Sequence, residues 1–224
     1  MRRLLAAGCA TALLALAGCA AAPASSASRL QARAEAGDAQ AQFELGAAHD
    51  AGAGVPADGR EAEKWYRRAA EQGHSEAQNA MGSGLQAAHR FDEAARWFSR
   101  AAAQGHPSAF NSLAYLHDLG LGVPQDRARA HALYAISAEL GWAEGMWNLA
   151  IMHGMGQVGG GKDFDAACSW TLRAARFAEP DMHELRVRLQ RMVAQLRRDL
   201  GAERFARCER SARGWAPAGA STRP

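Results

Sequence analysis

The sequence predicts an all-α chain, an α/α solenoid of about four helix–turn–helix repeats with an N-terminal half-repeat and a C-terminal capping helix, on three observations. The first is a pair of stripes within residues 39–74. Ala41, Leu45, Gly46 and His49 fall on one helical face, Ala62, Trp65, Ala69 and Gly73 on another, with Gly52, Gly54 and Val55 breaking the chain between them. Two helices this short cannot bury their apolar faces alone, so copies must stack. The second is recurrence: taking Leu45 and Trp65 as markers, the equivalents are Met81 with Trp97, Leu113 with Leu133 and Leu149 with Trp170, at separations of 20, 16, 20 and 21 residues. The third is a loop, G-x-G-V-x-x-D, written Gly52 to Asp58 and again Gly120 to Asp126, and degenerate at Gly154, Gly156 and Asp163. Four units follow, at 39–74, 75–106, 107–142 and 143–179, the second short by four residues in its loop.

The composite pattern, L-G-x-x-[YH]-x-x-G-x-G-V-x-x-D followed by A-x-x-W-Y-x-x-A-A-x-x-G, resembles the Sel-1-like repeat, a branch of the tetratricopeptide superfamily. Four tandem copies make that resemblance specific, and it implies a helical solenoid that works as a protein-interaction scaffold or adaptor rather than an enzyme. One branch of the family carries a disulfide in every repeat. This chain does not, so its units are expected to hold by packing, with Trp65, Trp97 and Trp170 as the large buried anchors.

The elements follow in chain order. Arg2 and Arg3 precede an apolar run over residues 4–17, too short to span a bilayer and ending in Leu16-Ala17-Gly18-Cys19. That ending looks like a bacterial lipobox, so residues 1–18 are expected as a lipoprotein signal peptide and Cys19 as the lipidated residue. Ala20 rather than aspartate follows it, similar to the outer-membrane sorting pattern, which places the protein on the periplasmic face of the outer membrane, attached to the membrane through the lipid alone. Residues 19–27, rich in Ala, Ser and Pro, are expected as a flexible tether, and residues 29–37 as a lone second helix covering the first repeat. Beyond the repeat domain (28–179), residues 180–213 keep helical spacing in Leu185, Leu189, Met192, Leu196 and Leu200 and read as a helical cap. Its polar face carries Arg186, Arg188, Arg191, Arg197 and Arg198, either to solubilise the open end or as a basic surface for phospholipid head groups. Residues 214–224 are expected to be disordered.

Charge and chemistry exclude several classes. The formal net charge is +3, two of it supplied by Arg2 and Arg3, so a basic pI near 8.9 argues little for nucleic acid, and none is expected as a partner. A G-x-G-x-x-G occurs at Gly154, Gly156 and Gly159, but it follows a helix and coincides with the repeat's turn instead of joining a strand to a helix. No Ser-x-x-Lys pair precedes Lys64 or Lys162, and no H-E-x-x-H exists. His49, His117 and His153 recur at one repeat position, about 10 Å apart along stacked helices, too far to share a metal. They are expected to pack at the junction of each helix pair, while His74 and His106 are expected at the surface. No catalytic residue, cofactor or metal is expected. Cys168 and Cys208 are open to two readings, one disulfide joining the last repeat to the cap or two buried thiols.

The resemblance also implies a binding groove lined by the first helix of each repeat. Carried residue by residue onto this chain, it selects Phe43 and Asp50; Glu76 and Asn79; Asn111, Tyr115 and Asp118; and Glu144 and Trp147, with Gln40, Ala47, Ser83, Gln86, Ser108, Ile151 and Gly154 between them. Four carboxylates, two asparagines, three aromatics and no basic residue would favour a partner segment with basic and apolar groups. The expected function is a non-enzymatic, lipid-anchored adaptor of the bacterial envelope, a monomer binding a protein or peptide along that groove. The alternative is a cell-wall (peptidoglycan) or β-lactam-binding or hydrolysing protein.

Overall fold

The computed structural model describes residues 26–157 and 159–218; the signal segment, Cys19 and most of the tether lie outside them. Ten helices and no strand are found among the described residues: α1 (Ser26–Glu35), α2 (Ala39–Ala51), α3 (Gly59–Glu71), α4 (Ser75–Ala87), α5 (Phe91–Ala103), α6 (Pro107–Leu119), α7 (Arg127–Glu139), α8 (Ala143–Met155), α9 (Phe164–Phe177) and α10 (His183–Arg213). Each helix packs on the one before and the one after, the arrangement of an α/α solenoid. Across a repeat boundary α6 also touches α8, so these first helices of adjacent units lie side by side. The start of α1 at Ser26 lies within the stretch expected as tether, because Leu30 and Ala34 already pack against Leu45 and Trp65.

The loop motif is a stop and a start. Gly52, Gly120 and Gly156 end α2, α6 and α8 in the left-handed conformation, at φ 67°, 70° and 71°. Asp58, Asp126 and Asp163 then cap α3, α7 and α9, each side chain accepting from backbone N–H groups of the first turn. The histidines at the shared repeat position latch the loop back: His49 Nδ1 donates to the Pro56 carbonyl at 3.1 Å and His117 Nδ1 to that of Pro124 at 3.3 Å. The shortened second unit has lost all of this. Arg90 precedes α5 with no capping bond from its side chain, and His89 takes φ 57° without being glycine.

His74 and His106 are caps rather than surface residues. Each Nδ1 accepts a backbone N–H, from Ala77 and from Ala109, both at 3.3 Å, so each must be unprotonated there. Burial, outweighing the Glu76 carboxylate, holds the His106 pKa below the ordinary 6.5, and burial with the His153 ring does the same to His131. The fold therefore favours both neutral rings and the unfolded chain binds more protons. Stability from these groups is complete above pH 6.5 and is lost as pH falls through that value and below. The urea midpoint at neutral pH should exceed that in mild acid. His106→Asn, which caps without titrating, should flatten part of the difference; an unchanged difference would remove His106 from the account.

Repeat faces meet through small residues and a buried amide ladder. Gln42 donates to the Ala34 carbonyl and accepts from Gln72; Gln78 donates to Ala70 and accepts from Gln104, at 2.7–3.1 Å throughout. Gln78→Ala would remove both bonds, but the Ala70 carbonyl keeps the Gly73 N–H and Gln104 is exposed, so the loss should be that of two ordinary hydrogen bonds, at about 1–3 kcal/mol in total. A lowered denaturant midpoint at constant slope checks this.

The expected Trp anchors need correction. Trp65 is buried, but Trp97 and Trp170 are half-buried, with the guanidinium groups of Arg68, Arg100 and Arg173 stacked on the three rings at 4.7, 4.6 and 4.4 Å. The deep rings sit one residue on: Phe98 is 0% and Tyr134 2% exposed. Helical geometry explains the shift, since that position faces the partner helix across Gly46 and Gly82, where an added Cβ would come within 2.7 Å of the Tyr66 ring and 2.6 Å of the Phe98 ring.

The cap is not one straight helix. Gly201, at φ 71° and ψ 166°, interrupts α10. Arg197 pairs with Glu209 at 3.6 Å, although twelve residues of continuous helix would separate them by about 18 Å. The first arm, residues 183–200, buries Leu185 and Leu189 against Met146 and Leu149. The second, residues 202–213, runs along α9, where Arg204 pairs with Asp165 at 2.6 Å and Arg173 reaches the Ser211 carbonyl. The two arms thus form a fifth helix pair without the repeat's motif. Of the tail expected to be disordered, residues 214–218 are ordered: Trp215 packs edge-on against Trp170 and Phe177, both at 5.7 Å, and the Ala218 N–H donates to the Glu139 carbonyl at 2.7 Å, while residues 219–224 lie outside the described residues. One large ring is enough to hold that segment down.

Candidate functional site

The residues selected for the groove all lie on α2, α4, α6 and α8, but their environments differ. Phe43 is half-buried, its ring stacked on His74 at 4.9 Å and tilted against Tyr66 at 5.7 Å, so it belongs as much to the framework as to the surface. Asn111 accepts from Asn148 at 2.8 Å, which spends part of its capacity on a neighbouring helix. Asp118 lies 3.6 Å from Arg127. Tyr115 is 40% exposed, Asp50 and Glu76 are exposed, and Trp147 is half-buried at the C-terminal end.

A second property could not be read from the residue list. Four buried side-chain polar atoms among the described residues have no hydrogen-bond partner, and three of them are acceptors at groove positions: Asn79 Oδ1, Gln86 Oε1 and Glu144 Oε2. Burial also pushes the Glu144 pKa up, with Asp181 and Glu179 adding to it, the expected state of a carboxylate facing no cation. Leaving such an acceptor unpaired costs about 1–3 kcal/mol. The three oxygens are themselves enclosed, so a ligand supplying N–H groups pairs with them only as their side chains turn outward, while Asp50 stands exposed with no ion pair among the described residues.

Cys168 and Cys208 are brought together beside Phe205, both buried and both free thiols. Burial first, and the Cys208 thiol next, push the Cys168 thiol up, which keeps it protonated and unreactive. Among the described residues no group of three or more potential metal ligands comes together, and no helix is long and apolar enough to cross a membrane.

Comparison with known proteins adds the family. A family model described as the Sel1 repeat matches residues 39–74, 75–106, 107–142 and 143–176. Among solved structures, a Sel1 repeat protein from Oxalobacter formigenes is 30% identical with a TM-score of 0.67, over 82% of this chain and 74% of that one. The protective antigen c5321 of uropathogenic Escherichia coli, described as displaying an SLR fold, is 25% identical with a TM-score of 0.72; the match covers 83% of this chain but spans only 39% of the antigen's length. A putative Sel1 repeat protein from Klebsiella pneumoniae shares the fold at 21% identity and a TM-score of 0.55, over 82% of this chain and 99% of its own. The curated proteins give no match. With four tandem copies of the repeat across most of its helices, the chain belongs to the Sel1 repeat family.

Proposed function

We propose that the chain is a non-enzymatic interaction scaffold that binds a protein or peptide segment along the groove face of α2, α4, α6 and α8. Sel1 repeats generally mediate protein–protein interaction, and the fold here is theirs. The observation that carries the reading is the set of unpaired acceptors, Asn79 Oδ1, Gln86 Oε1 and Glu144 Oε2, on the face that also holds Asp50, Glu76 and Asp118. Backbone amides of an extended segment would satisfy the amide oxygens as Asn79 and Gln86 turn toward it, and its lysines or arginines the exposed carboxylates. Neither the described residues nor the comparisons favour the cell-wall or β-lactam alternative.

Pull-down from envelope extract with the mature chain, beside a variant carrying Asn79→Ala, Gln86→Ala and Glu144→Gln with unchanged helical circular dichroism, tests this. A partner held by the first and released by the second supports the groove; a partner held equally by both removes it. The same proposal places the scaffold on the periplasmic face of the outer membrane through lipid on Cys19, on the strength of Leu16-Ala17-Gly18-Cys19 and the short apolar run before it. Cys19→Ser should move the protein from the membrane fraction to the soluble one and abolish labelling by a palmitate analogue. Labelling that persists would overturn the anchor.

A further inference from the structure

One register position sets the fourth repeat apart. The residue after the second-helix marker is Tyr66, Phe98 and Tyr134 in the first three units, and each ring packs between its own first helix and the next, Phe98 and Tyr134 fully enclosed and Tyr66 half-buried beside a smaller opening. In the fourth unit that residue is Thr171, its hydroxyl donating to the Ala167 carbonyl at 2.8 Å. The space a ring would occupy is a pocket of about 560 Å³, with Thr171, Ala150 and Ala167 on its inner side and the first arm of α10 as the facing wall. That size falls within the range of small-ligand sites, about 300–1,000 Å³.

The pocket opens on the groove, because Trp147, Ile151 and Gly154 line both. Three of the most exposed large apolar side chains of the described residues also gather there: Met155 at 61%, Phe164 at 45% and Met192 at 38%. Flexible methionines on two walls adapt to differently shaped partners. The rim is selective in charge. Arg204 is neutralised by Asp165 at 2.6 Å, whereas Asp199 is held only by the Gln195 amide, at 2.8 and 2.9 Å, with no ion pair among the described residues. An acidic rim around an apolar hole disfavours a fatty-acid carboxylate and favours a cation beside an apolar group.

From this geometry we propose that the pocket is the anchor site of the groove: it takes one large aliphatic or aromatic side chain of a bound protein segment, with a lysine or arginine next to it paired to Asp199. The inference rests on the groove reading and adds the partner's chemistry. It also accounts for the missing ring, since a ring at position 171 would occupy the place of the ligand's own side chain.

The test is a random-peptide display selection on the mature chain, with hits measured as synthetic peptides. Expected are sequences pairing Leu, Phe, Tyr or Trp with an adjacent Lys or Arg. Thr171→Tyr restores the ring the other units carry, in a setting already realised by Tyr134 over Ala114. It should leave the fold intact and weaken the peptides by about tenfold or more, and Asp199→Asn should weaken them severalfold. Peptides that bind the Thr171→Tyr protein unchanged, or hits without a basic residue, overturn the anchor. If those same peptides are lost on the Asn79→Ala, Gln86→Ala, Glu144→Gln protein, the groove stands and the anchor alone falls. A selection yielding nothing removes both. Dodecanoate that quenches tryptophan emission in the unaltered chain but not in Thr171→Tyr would give the pocket to an acyl chain instead, and would equally overturn a protein anchor.

Discussion

Phe98→Ala should lower unfolding free energy by about 3–5 kcal/mol, the usual cost of removing a fully enclosed ring. The ring is 0% exposed and lies over Gly82, so close that a Cβ on that glycine would meet it at 2.6 Å. Neighbouring atoms cannot collapse into the space: Gly82 has no side chain to swing in, and Ala94, Ala101 and Ala109 around it are already at full length. In a solenoid each unit is stabilised by its neighbours alone, so the loss is concentrated where the second and third units join. The denaturant transition should broaden or split, and hydrogen exchange in α4 and α5 should rise ahead of that in α8 and α9. One sharp transition displaced by less than about 1 kcal/mol would show that Phe98 is not the keystone of that joint.

Gly122→Ala should be nearly as damaging, for a different reason. Gly122 sits at φ 66°, a conformation costing an ordinary residue about 1–3 kcal/mol, and a Cβ there would overlap the backbone of Phe91 and Asp92 at the start of α5. Backbone cannot yield as a side-chain tip does, so the loop carrying Leu121 and Val123 must lift off the cluster beneath it. Gly54, at φ 75° in the equivalent loop of the first unit, has open space around its missing Cβ. Gly54→Ala should therefore cost only the conformational part. Comparing the two melting temperatures isolates the clash, and equal losses would refute it.

Much of this architecture was legible because the repeat's letters are its mechanics: glycines at positive φ stop helices, aspartates start them, and small residues let them touch. What was missed has physical causes. The tryptophans drew attention as the largest residues, yet size does not decide depth; their position faces outward enough for arginines to lie on them, and the smaller rings beside them go inside. Gly201 gave no sign of breaking α10, because Leu196, Leu200 and Phe205 continue an apolar rhythm across it. Trp215 stood in a short Ala- and Pro-rich tail with no periodicity to mark it. As for the groove, a residue's type at a repeat position shows which helix it rides on. Whether Asn111 is already engaged by Asn148, or Asn79 left with an open oxygen, depends on helices that meet only in three dimensions. Thr171 was visible as the odd letter in its column, but its meaning needed the ring it replaces to be seen filling a gap.

The short second unit carries one more implication. In the first and third units the loop joins a cluster that spans a repeat boundary, Val55 with Leu30 of α1 and Trp65 of α3, and Leu121 and Val123 with Phe91 of α5 and Leu133 of α7, and so fastens one second helix to the next. Residues 88–90 are too few to do the same for α3, and an opening of about 370 Å³ remains there between Tyr66, Glu63 and Arg90. That joint therefore rests on the packing of α3 against α4, through Ala69, Ala70, Ala77 and Met81, and the hollow beside it brings Asp50 of the groove helix and Arg90 of the shortened turn to one place on the surface.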